Sequence, residues 1–162
     1  MGEGTTGSVE KRLRALEDRF EIYQIVCGYG PAVDGLNGEA VGALYAPDGV
    51  YAVGDIGRKE GREAVAATTT VPGHVAMVGQ GCGHITTMPY VLIDGHRAVA
   101  TCHTMLMVNG EQGFSVARLS ASRSELSRKP DGGWQTDFRQ NWLLDGNPAG
   151  PALLARLNDR PE

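Results

Sequence analysis

The second half of the chain carries the pattern that most constrains its fold, three long runs rich in β-branched and apolar residues. The runs cover residues 97–108, 114–127 and 134–144, and turn signals separate them at Asn109-Gly110 and at residues 129–133. An Asn-Gly pair between two such runs is typical of a β-hairpin. The pattern therefore predicts a meander of long antiparallel strands in this half of the chain.

The first half shows helical periodicity instead. Four apolar residues recur there at spacings of three and four between charges, and they predict an amphipathic helix over residues 9–29: Leu13, Leu16, Phe20 and Tyr23. Gly28, Gly30 and Pro31 are expected to end that helix. Asn37 is then expected to cap a short second helix that runs to about residue 45.

Shorter elements are predicted around these two halves. Residues 46–49 read Ala-Pro-Asp-Gly and have turn chemistry, residues 50–53 read as a short strand, and residues 62–69 as a third helix. Residues 151–157 are expected to form a short terminal helix. Because the helices come first and the strands follow, we expect an α+β fold with the helices on one face of a curved, mostly antiparallel sheet.

The length bounds the domain organisation. A chain of 162 residues, of which 41% are hydrophobic, is sufficient for one domain with a substantial core. We expect a single domain over residues 9–157, preceded by a disordered leader over residues 1–8.

Charge and composition exclude several classes of partner. A formal net charge of -4 without a long Lys/Arg cluster argues against nucleic acid, whose phosphates demand concentrated positive charge. No apolar run approaches the roughly 18 residues that span a bilayer, so no membrane association is expected. Three cysteines in neither a disulfide nor a zinc pattern indicate reduced thiols and a cytoplasmic protein.

His84 is the histidine that most needs an explanation. It lies in residues 81–95, a stretch predicted to form one strand that closes in an Asp94-Gly95 hairpin turn. On the alternating period of a strand it shares a mostly apolar face with four residues: Thr86, Met88, Tyr90 and Leu92. A histidine at the end of such a face could line a cavity, or it could be a structural residue that hydrogen-bonds a neighbour.

Other polar residues are weaker candidates. Asp34 is a lone carboxylate after the first helix and could be a turn or capping residue. His103 lies mid-strand and could be a second cavity residue. In the last strand Gln135, Asp137, Arg139 and Asn141 alternate with other residues, so they form a stripe that either faces solvent or lines a cavity.

Common motifs for phosphate binding, metal binding and nucleophilic serine catalysis are missing from the sequence. The sequence has no glycine-rich phosphate loop, no Gly-x-Ser-x-Gly elbow and no His-Glu-x-x-His helix, and its histidines lack a metal-ligand spacing. Neither a metal nor a cofactor is expected.

The motifs taken together resemble the SnoaL-like branch of the NTF2-like superfamily, which includes dehydratases and isomerases such as scytalone dehydratase. They follow one another over nearly the whole chain: Leu-x-x-Leu-Glu-Asp-Arg from Leu13, Tyr29-x4-Asp34, Leu-Tyr-Ala-Pro-Asp-Gly-Val-Tyr at 44–51, Gly-Arg-Glu-Ala-Val at 61–65, His84, and Gly133-Trp134-x4-Arg139. The resemblance implies an α+β cone whose sheet wraps a deep apolar pocket closed by the helices.

The resemblance also implies roles for four residues. Asp34 and His84 match the family's Asp/His dyad, Tyr29 falls on a position for a proton donor, and Arg139 on an arginine that orients the dyad or stabilises negative charge. Besides these catalytic candidates, we name four candidates for substrate contacts: Tyr51, Met88, His103 and Asn141. Tyr51 and His103 are placed by strand position only.

The function expected from this resemblance is a cofactor-free lyase or isomerase. It would remove a proton beside a carbonyl in a polycyclic, steroid-like or polyketide-like small molecule. Alternatives are a non-catalytic binding module on the same fold, and a polyketide cyclase or epoxide-opening enzyme. The pKa of His84 is expected near or somewhat above its ordinary value of about 6.5, because Asp34 favours the charged form while burial opposes it.

A homo-oligomer, a trimer or a dimer, is also expected. The convex face of a single curved sheet needs cover, and large apolar residues such as Phe138 and Trp142 are predicted to lie on it.

Overall fold

The computed structural model describes the backbone of residues 3–55 and 57–161, and the side chains of residues 8–55 and 57–161. Within these residues the chain forms five α-helices and two short 3₁₀ turns. The helices are α1 (Glu3–Asp34), α2 (Gly38–Ala43), α3 (Arg62–Ala66), α4 (Pro72–Gln80) and α5 (Ala149–Ala155), and the 3₁₀ turns are Ala67–Thr70 and Arg156–Asn158. The first two residues of the predicted leader lie outside the described residues, and its boundary at residue 9 stays a prediction.

Seven strands form one curved sheet in the described part of the chain. They are β1 (Tyr45–Val53), β2 (Gly57–Glu60), β3 (Cys82–Thr86), β4 (Tyr90–Asp94), β5 (Arg97–Gly110), β6 (Gly113–Arg128) and β7 (Trp134–Leu143). The strand order is β2-β1-β7-β6-β5-β3, and β4 also pairs with β5. All of these pairs are antiparallel except β1 with β7. The α+β prediction, with helices on a mostly antiparallel sheet, is therefore confirmed.

Helix α1 is longer than predicted. It passes through Gly28, Gly30 and Pro31 and ends only at Asp34. Pro31 removes one helical hydrogen bond, but Tyr29 and Val33 of this segment are 4% and 0% exposed. Burial of these two side chains against the rest of the domain outweighs the local helix-breaking tendency. The prediction that the helix ends near Tyr29 is wrong, and the extra turn is the one that carries Asp34.

The apolar stripe that predicted helix α1 does not face the core. Leu13, Leu16 and Phe20 are 54%, 64% and 63% exposed, whereas Ile22 and Val26 are buried. Ile22 and Val26 pack in a cluster with Trp134 and with small residues of β5. The helix is correctly predicted, but its first apolar stripe is a surface feature.

Two of the predicted turns are strand instead. Residues 46–49 lie inside β1, where the register with β7 shifts between Tyr45 and Val50. Such a shift is a bulge, which accommodates the Pro-Asp-Gly residues without ending the strand. Asn109 and Gly110 pair with Phe114 and Gly113, so the hairpin turn lies one step further along, at residues 111–112.

The predicted single strand over residues 81–95 is two strands on the same edge of β5. β3 pairs with residues 104–108 and β4 with residues 97–101. Between them Pro89 has no N–H to donate to a ladder, and the Thr87 hydroxyl instead accepts from the backbone N–H of His103 at 3.1 Å. The three-residue break changes the alternation, so that Val91 of β4 is buried while Met88 is 74% exposed.

Candidate active site

Asp34 and His84 meet at the junction between α1 and β3. His84 Nδ1 lies 2.5 Å from Asp34 Oδ1, and the backbone N–H of His84 donates to Asp34 Oδ2 at 2.7 Å. The two side chains are 23% and 20% exposed. Both carboxylate oxygens are therefore engaged by one residue, which holds the His84 ring and its strand against the end of the helix.

The hydrogen bonds of His84 define its tautomer. A carboxylate oxygen accepts, so Nδ1 carries the proton and Nε2 keeps a lone pair. Nε2 has no hydrogen-bond partner within the described ranges, and His84 lines the cleft formed by the sheet. This is the arrangement of a histidine base whose orientation is set by a carboxylate.

Burial lowers the pKa of His84 below its ordinary value of 6.5, and this effect outweighs the hydrogen bond and the charge of Asp34, which raise it. Electrostatic interactions with neighbouring His74 and Arg118 lower the pKa of His84 further. The expectation of a pKa near or above the ordinary value is thus wrong, because the sequence does not reveal how far the ring is removed from water. A lower pKa keeps His84 neutral, as a base requires.

His74 of α4 is a buried neighbour of the dyad. Its ring centroid lies 5.7 Å from that of His84, and its Nε2 lies 2.9 Å from the carbonyl oxygen of Val33. Because a carbonyl oxygen can only accept, Nε2 is the donor of this hydrogen bond. His74 therefore packs behind His84 and ties α4 to the end of α1.

Arg139 lies on β7 with its guanidinium between two tyrosines. The guanidinium carbon is 4.6 Å from the ring centroid of Tyr29 and 5.4 Å from that of Tyr51, within cation–π range. Its Nε donates to Ser122 Oγ at 3.3 Å, and the residue is only 4% exposed. Within the described ranges this guanidinium contacts aromatic faces and a hydroxyl but no carboxylate. Its positive charge is therefore available to interact with a negatively charged group in the cleft.

Burial raises the pKa of the Tyr29 hydroxyl well above 10, and neighbouring Tyr51 and Tyr45 raise it further. Tyr29 therefore stays protonated at physiological pH. Its ring centroid is 5.4 Å from that of Tyr51 and 6.3 Å from that of His84. A protonated Tyr29 hydroxyl can donate a hydrogen bond in the neighbourhood of His84.

The polar stripe predicted along β7 is divided by a bulge. The register with β6 shifts between Glu125 and Leu126, which leaves Asp137 without a backbone pairing partner on β6. Trp134 and Thr136 are buried before the bulge, and Arg139 and Asn141 after it. Arg139 and Asn141 consequently line the cleft, whereas Gln135 and Asp137 do not.

These side chains surround a narrow cleft with about 430 Å³ of unfilled space, including its solvent-open mouth. Its lining residues are Tyr29, Tyr51, Val53, His84, Ile85, Thr86, Thr104, Met105, Leu106, Arg118, Ser120, Arg139 and Asn141. Asn141 Nδ2 donates to the Tyr51 hydroxyl at 3.1 Å. The wall is thus apolar in part, with polar groups concentrated around His84 and Arg139.

Two predicted substrate contacts are not part of this wall. Met88 lies in the break between β3 and β4 and is mostly exposed. His103 is exposed. It lies between Cys102, which is buried, and Thr104, which lines the cleft, so strand alternation points the His103 side chain away from the cleft. The other predicted residues, Tyr51 and Asn141, do line it.

Sequence reasoning missed Arg118, Ser122 and His74. Arg118 and Ser122 are on one face of β6. The sequence alone does not show which alternate residues of this strand face the cleft. The sequence contained a signal for Cys82, which lies two residues before His84 and so on the same face of a strand. Its Sγ donates to Asp34 Oδ1 at 3.7 Å.

Asp34, Cys82 and His84 bring three possible metal-ligand atoms within 4.8 Å of one another. The carboxylate oxygen and Nδ1 are 2.5 Å apart. Two ligands at about 2.0–2.2 Å from one tetrahedral ion stand further apart than that. The observed spacing is that of a hydrogen-bonded dyad.

Comparison with known families agrees with this architecture. The family model described as a SnoaL-like domain matches residues 14–140, which is most of the chain and includes the dyad and every cleft-lining residue except Asn141. The chain belongs to the SnoaL-like family. The dyad and most of the cleft lie within the matched SnoaL-like domain.

Solved structures similar to this SnoaL-like protein share its fold. An NTF2-like protein with a cystatin-like fold from Novosphingobium aromaticivorans is 38% identical, covers 90% of this chain and 94% of its own, and has a TM-score of 0.87. A Mycobacterium tuberculosis protein of unknown function, an Asp-to-Asn variant, is 18% identical, with 98% and 92% covered and a TM-score of 0.68. A Catenulispora acidiphila protein in complex with S-DNPA is 22% identical, with 80% and 95% covered and a TM-score of 0.63.

A comparison of this SnoaL-like protein with curated protein sequences found no significant match. Within the described residues, no helix combines the length and the apolar character needed to cross a membrane.

Proposed function

We propose that this SnoaL-like protein is a cofactor-free lyase or isomerase that removes a proton from carbon beside a carbonyl group. The observation that carries the proposal is the Asp34–His84 hydrogen bond of 2.5 Å, which leaves the second ring nitrogen of a neutral histidine free in a cleft. Positioned histidine bases of this kind accelerate proton transfer by roughly 10²- to 10⁴-fold.

The residues of the cleft support a reaction in two stages. In the first stage His84 Nε2 takes the proton, the C–H electron pair moves towards the carbonyl, and an enolate forms. Asp34 stabilises the imidazolium that results, while the Tyr29 hydroxyl and the Arg139 guanidinium stabilise the enolate oxygen. The guanidinium carbon of Arg139 lies 4.6 Å from the ring centroid of Tyr29, and both residues line the cleft with His84.

The second stage distinguishes a lyase from an isomerase. In an elimination the enolate re-forms its carbonyl, and a C=C bond forms between the deprotonated carbon and the next carbon. The hydroxyl on that next carbon leaves with its electron pair and takes the proton held by His84, so that water is released and His84 is neutral again. In an isomerisation the proton on His84 returns to a different carbon of the same molecule. Both outcomes are balanced without an oxidant, a reductant or a cofactor. The apolar part of the cleft wall suits a ring-containing substrate, in keeping with a polyketide-like or steroid-like skeleton.

Deuterium exchange tests the proposal without knowledge of the natural substrate. Wild-type protein is incubated in D₂O with small cyclic and aryl ketones, and incorporation of deuterium beside the carbonyl is followed by NMR. We expect incorporation with the wild type, and a loss on the order of 100-fold or more in His84→Ala. His103→Gln is the matched control, because that histidine is exposed and outside the cleft.

The opposite result would identify the protein as a binding module. Ketones that bind the wild type but keep their hydrogens in D₂O, and whose affinity changes only modestly in His84→Ala, would overturn the proposed chemistry.

A further inference from the structure

The cleft wall carries positive charge that is not balanced by acid. Its lining contains two guanidinium groups, Arg118 and Arg139, and no carboxylate, and the carboxylate behind it, Asp34, is already engaged with His84. The whole chain has the opposite sign, with a formal net charge of -4. A cleft whose charge opposes that of the surface attracts anionic ligands and raises their local concentration.

Arg118 is placed on the same side of the sheet as the base. Leu106 of β5 pairs with His84 of β3 on one side and with Arg118 of β6 on the other. Directly paired residues of neighbouring strands point to the same face, and each step between strands is about 4.7–4.9 Å. The backbone positions of His84 and Arg118 therefore lie about 10 Å apart across one row of the cleft wall.

A bulge directly precedes Arg118. The β5–β6 register passes from Leu106 with Arg118 to Met107 with Val116, so Ala117 is an extra residue without a partner on β5. Bulges of this kind bend a strand and change the direction of a side chain, and they are frequent beside active sites. This one lies directly before Arg118, which is the first residue of β6 that lines the cleft.

Arg118 and Arg139 differ in what surrounds them. Arg139 is buried and held by Ser122 and two tyrosine rings. Arg118 is exposed, and within the described ranges it makes neither a hydrogen bond nor an ion pair through its side chain. A solvated surface arginine would also lack side-chain partners. Arg118 differs from one because it lines the same cleft as His84. Its five N–H donors are available to a ligand in the cleft.

We infer that Arg118 anchors the substrate through a carboxylate at the mouth of the cleft, so that the substrate class is a small apolar carbonyl compound that also bears a carboxylate. The inference rests on the proposed function for the carbonyl and adds the second group. The planar fork of a guanidinium matches a carboxylate in a bidentate geometry. We expect a phosphate dianion to bind less tightly than a carboxylate, because no helix N-terminus or backbone nest is among the residues that line the cleft.

The carboxylate anchor gives the two arginines of the cleft, Arg118 and Arg139, different roles. With its carboxylate on Arg118, a substrate lies along the row that passes over Leu106, and its carbonyl end reaches His84, Tyr29 and Arg139. Arg118 then determines which compounds bind, while Arg139 acts on the oxygen that becomes negative during the reaction. An amphiphilic ligand of this shape is also consistent with the apolar residues between the two arginines, such as Met105 and Leu106.

A matched pair of aryl ketones tests the inference. 4-Acetylbenzoate carries a carboxylate and exchangeable methyl hydrogens beside a carbonyl, and its methyl ester is neutral but otherwise nearly the same shape. Binding of each is measured by calorimetry at low and high salt. We expect the wild type to bind the acid about 10-fold or more tightly than the ester at low salt, with a smaller difference at high salt.

Three variants make the test specific. Arg118→Gln is expected to remove the preference for the acid and to leave the affinity for the ester unchanged. Arg118→Lys keeps the charge without the fork and should retain part of the preference. Arg12→Gln on the exposed side of α1 removes the same charge away from the cleft and should behave as the wild type.

The outcomes separate this inference from the proposed function. Equal binding of acid and ester by the wild type, a preference that survives in Arg118→Gln, or failure of both compounds to bind at millimolar concentration would overturn the anchor. Tighter binding of an aryl phosphate than of 4-acetylbenzoate would overturn the choice of carboxylate. If the acid is preferred but neither compound exchanges hydrogen in D₂O, the anchor stands and the proposed chemistry fails.

Discussion

Gly30 of α1 lies against the backbone of His84, so close that a Cβ on Gly30 would overlap the His84 carbonyl oxygen. The absence of a side chain at this one position lets the helix approach β3 and brings Asp34, one turn further along, to both N–H groups of His84. A glycine that weakens the helix locally therefore makes the dyad geometrically possible.

Substitution of Gly30 by alanine tests this relationship. Alanine is intrinsically better in a helix by roughly 1 kcal/mol, but the clash with a strand backbone cannot be relieved by a side-chain rotation. We expect Gly30→Ala to lower the free energy of unfolding by about 1–3 kcal/mol and to reduce hydrogen exchange into substrate sharply. Denaturant titration and the D₂O assay measure the two effects.

Gly28→Ala is the matched control for that experiment. It lies in the same helix, where an added Cβ would meet only Leu44 Cδ2 at 3.7 Å, an ordinary contact. We expect unchanged activity and a stability equal to the wild type or greater. If Gly30→Ala behaves like Gly28→Ala, the close approach is not needed for the dyad.

The sequence predicted the order and type of the elements more accurately than their ends. The meander of β5, β6 and β7 follows from runs of β-branched residues with turn signals between them, which are local properties. The extension of α1 through Pro31 depends on the burial of Tyr29 and Val33, and burial depends on the rest of the fold. Local rules predict a break there because they contain no information about that packing.

Site residues were predictable where side chains alternate regularly between the two faces of a strand. They were unpredictable where a break or a bulge changes that alternation. Asp34 and His84 could be named from motif order, and the structure places them in contact. Met88 was misplaced because residues 87–89 interrupt the strand, and Arg118 was overlooked because nothing local indicates the bulge at Ala117. A one-residue change of phase moves a side chain to the other face of a sheet.

The rate of proton abstraction should depend on pH through His84. Burial places the pKa of this ring below its ordinary value of 6.5, and only the neutral ring can accept a proton. Activity should therefore be constant near neutral pH and fall as the pH drops through that lowered pKa. The pH profile of exchange, together with an NMR titration of the His84 ring, checks this, and a midpoint above 6.5 would contradict it.

Replacement of Asp34 by asparagine should cost activity and also move the pH profile. Asparagine offers one acceptor oxygen where His84 presents two N–H donors, so the ring loses its fixed tautomer. We expect a loss on the order of 100-fold or more. Since Asp34 raises the pKa of His84, its removal should shift the acid limb to still lower pH. Asp48→Asn, an exposed carboxylate in β1, is the control, and an acid limb that does not move would argue that Asp34 is merely structural.

The homo-oligomer stays a prediction, but its expected surface changes. Phe138 and Trp142 are partly buried and lie beside Leu153 of α5, which covers that part of the sheet. A second stripe on α1 is open instead, with four residues spaced four, three and four apart and 54–64% exposed, a pattern typical of coiled-coil contacts: Val9, Leu13, Leu16 and Phe20.

We therefore expect the α1 stripe to be the contact between copies of the chain. Light scattering at micromolar concentration should give a dimer or trimer for the wild type, and a smaller species for the double variant Leu16→Glu, Phe20→Glu. Lys11→Glu on the opposite side of the helix should leave the assembly intact. A monomeric wild type would contradict the prediction.

Removal of the Tyr29 hydroxyl should affect the reaction without unfolding the protein. In Tyr29→Phe the ring stays in place against Arg139, Tyr51 and His84, so the packing of the cleft and the free energy of unfolding should change little. What is lost is a donor whose high pKa keeps it protonated beside the enolate oxygen. Loss of one such donor costs roughly 10²-fold in rate, and the acid limb of the pH profile should stay where it is, because Tyr29 does not titrate in that range. Tyr90→Phe, an exposed tyrosine in β4 outside the cleft, is the matched control. Full activity in Tyr29→Phe would leave Arg139 as the group that stabilises the oxygen and reduce Tyr29 to a packing partner of that guanidinium.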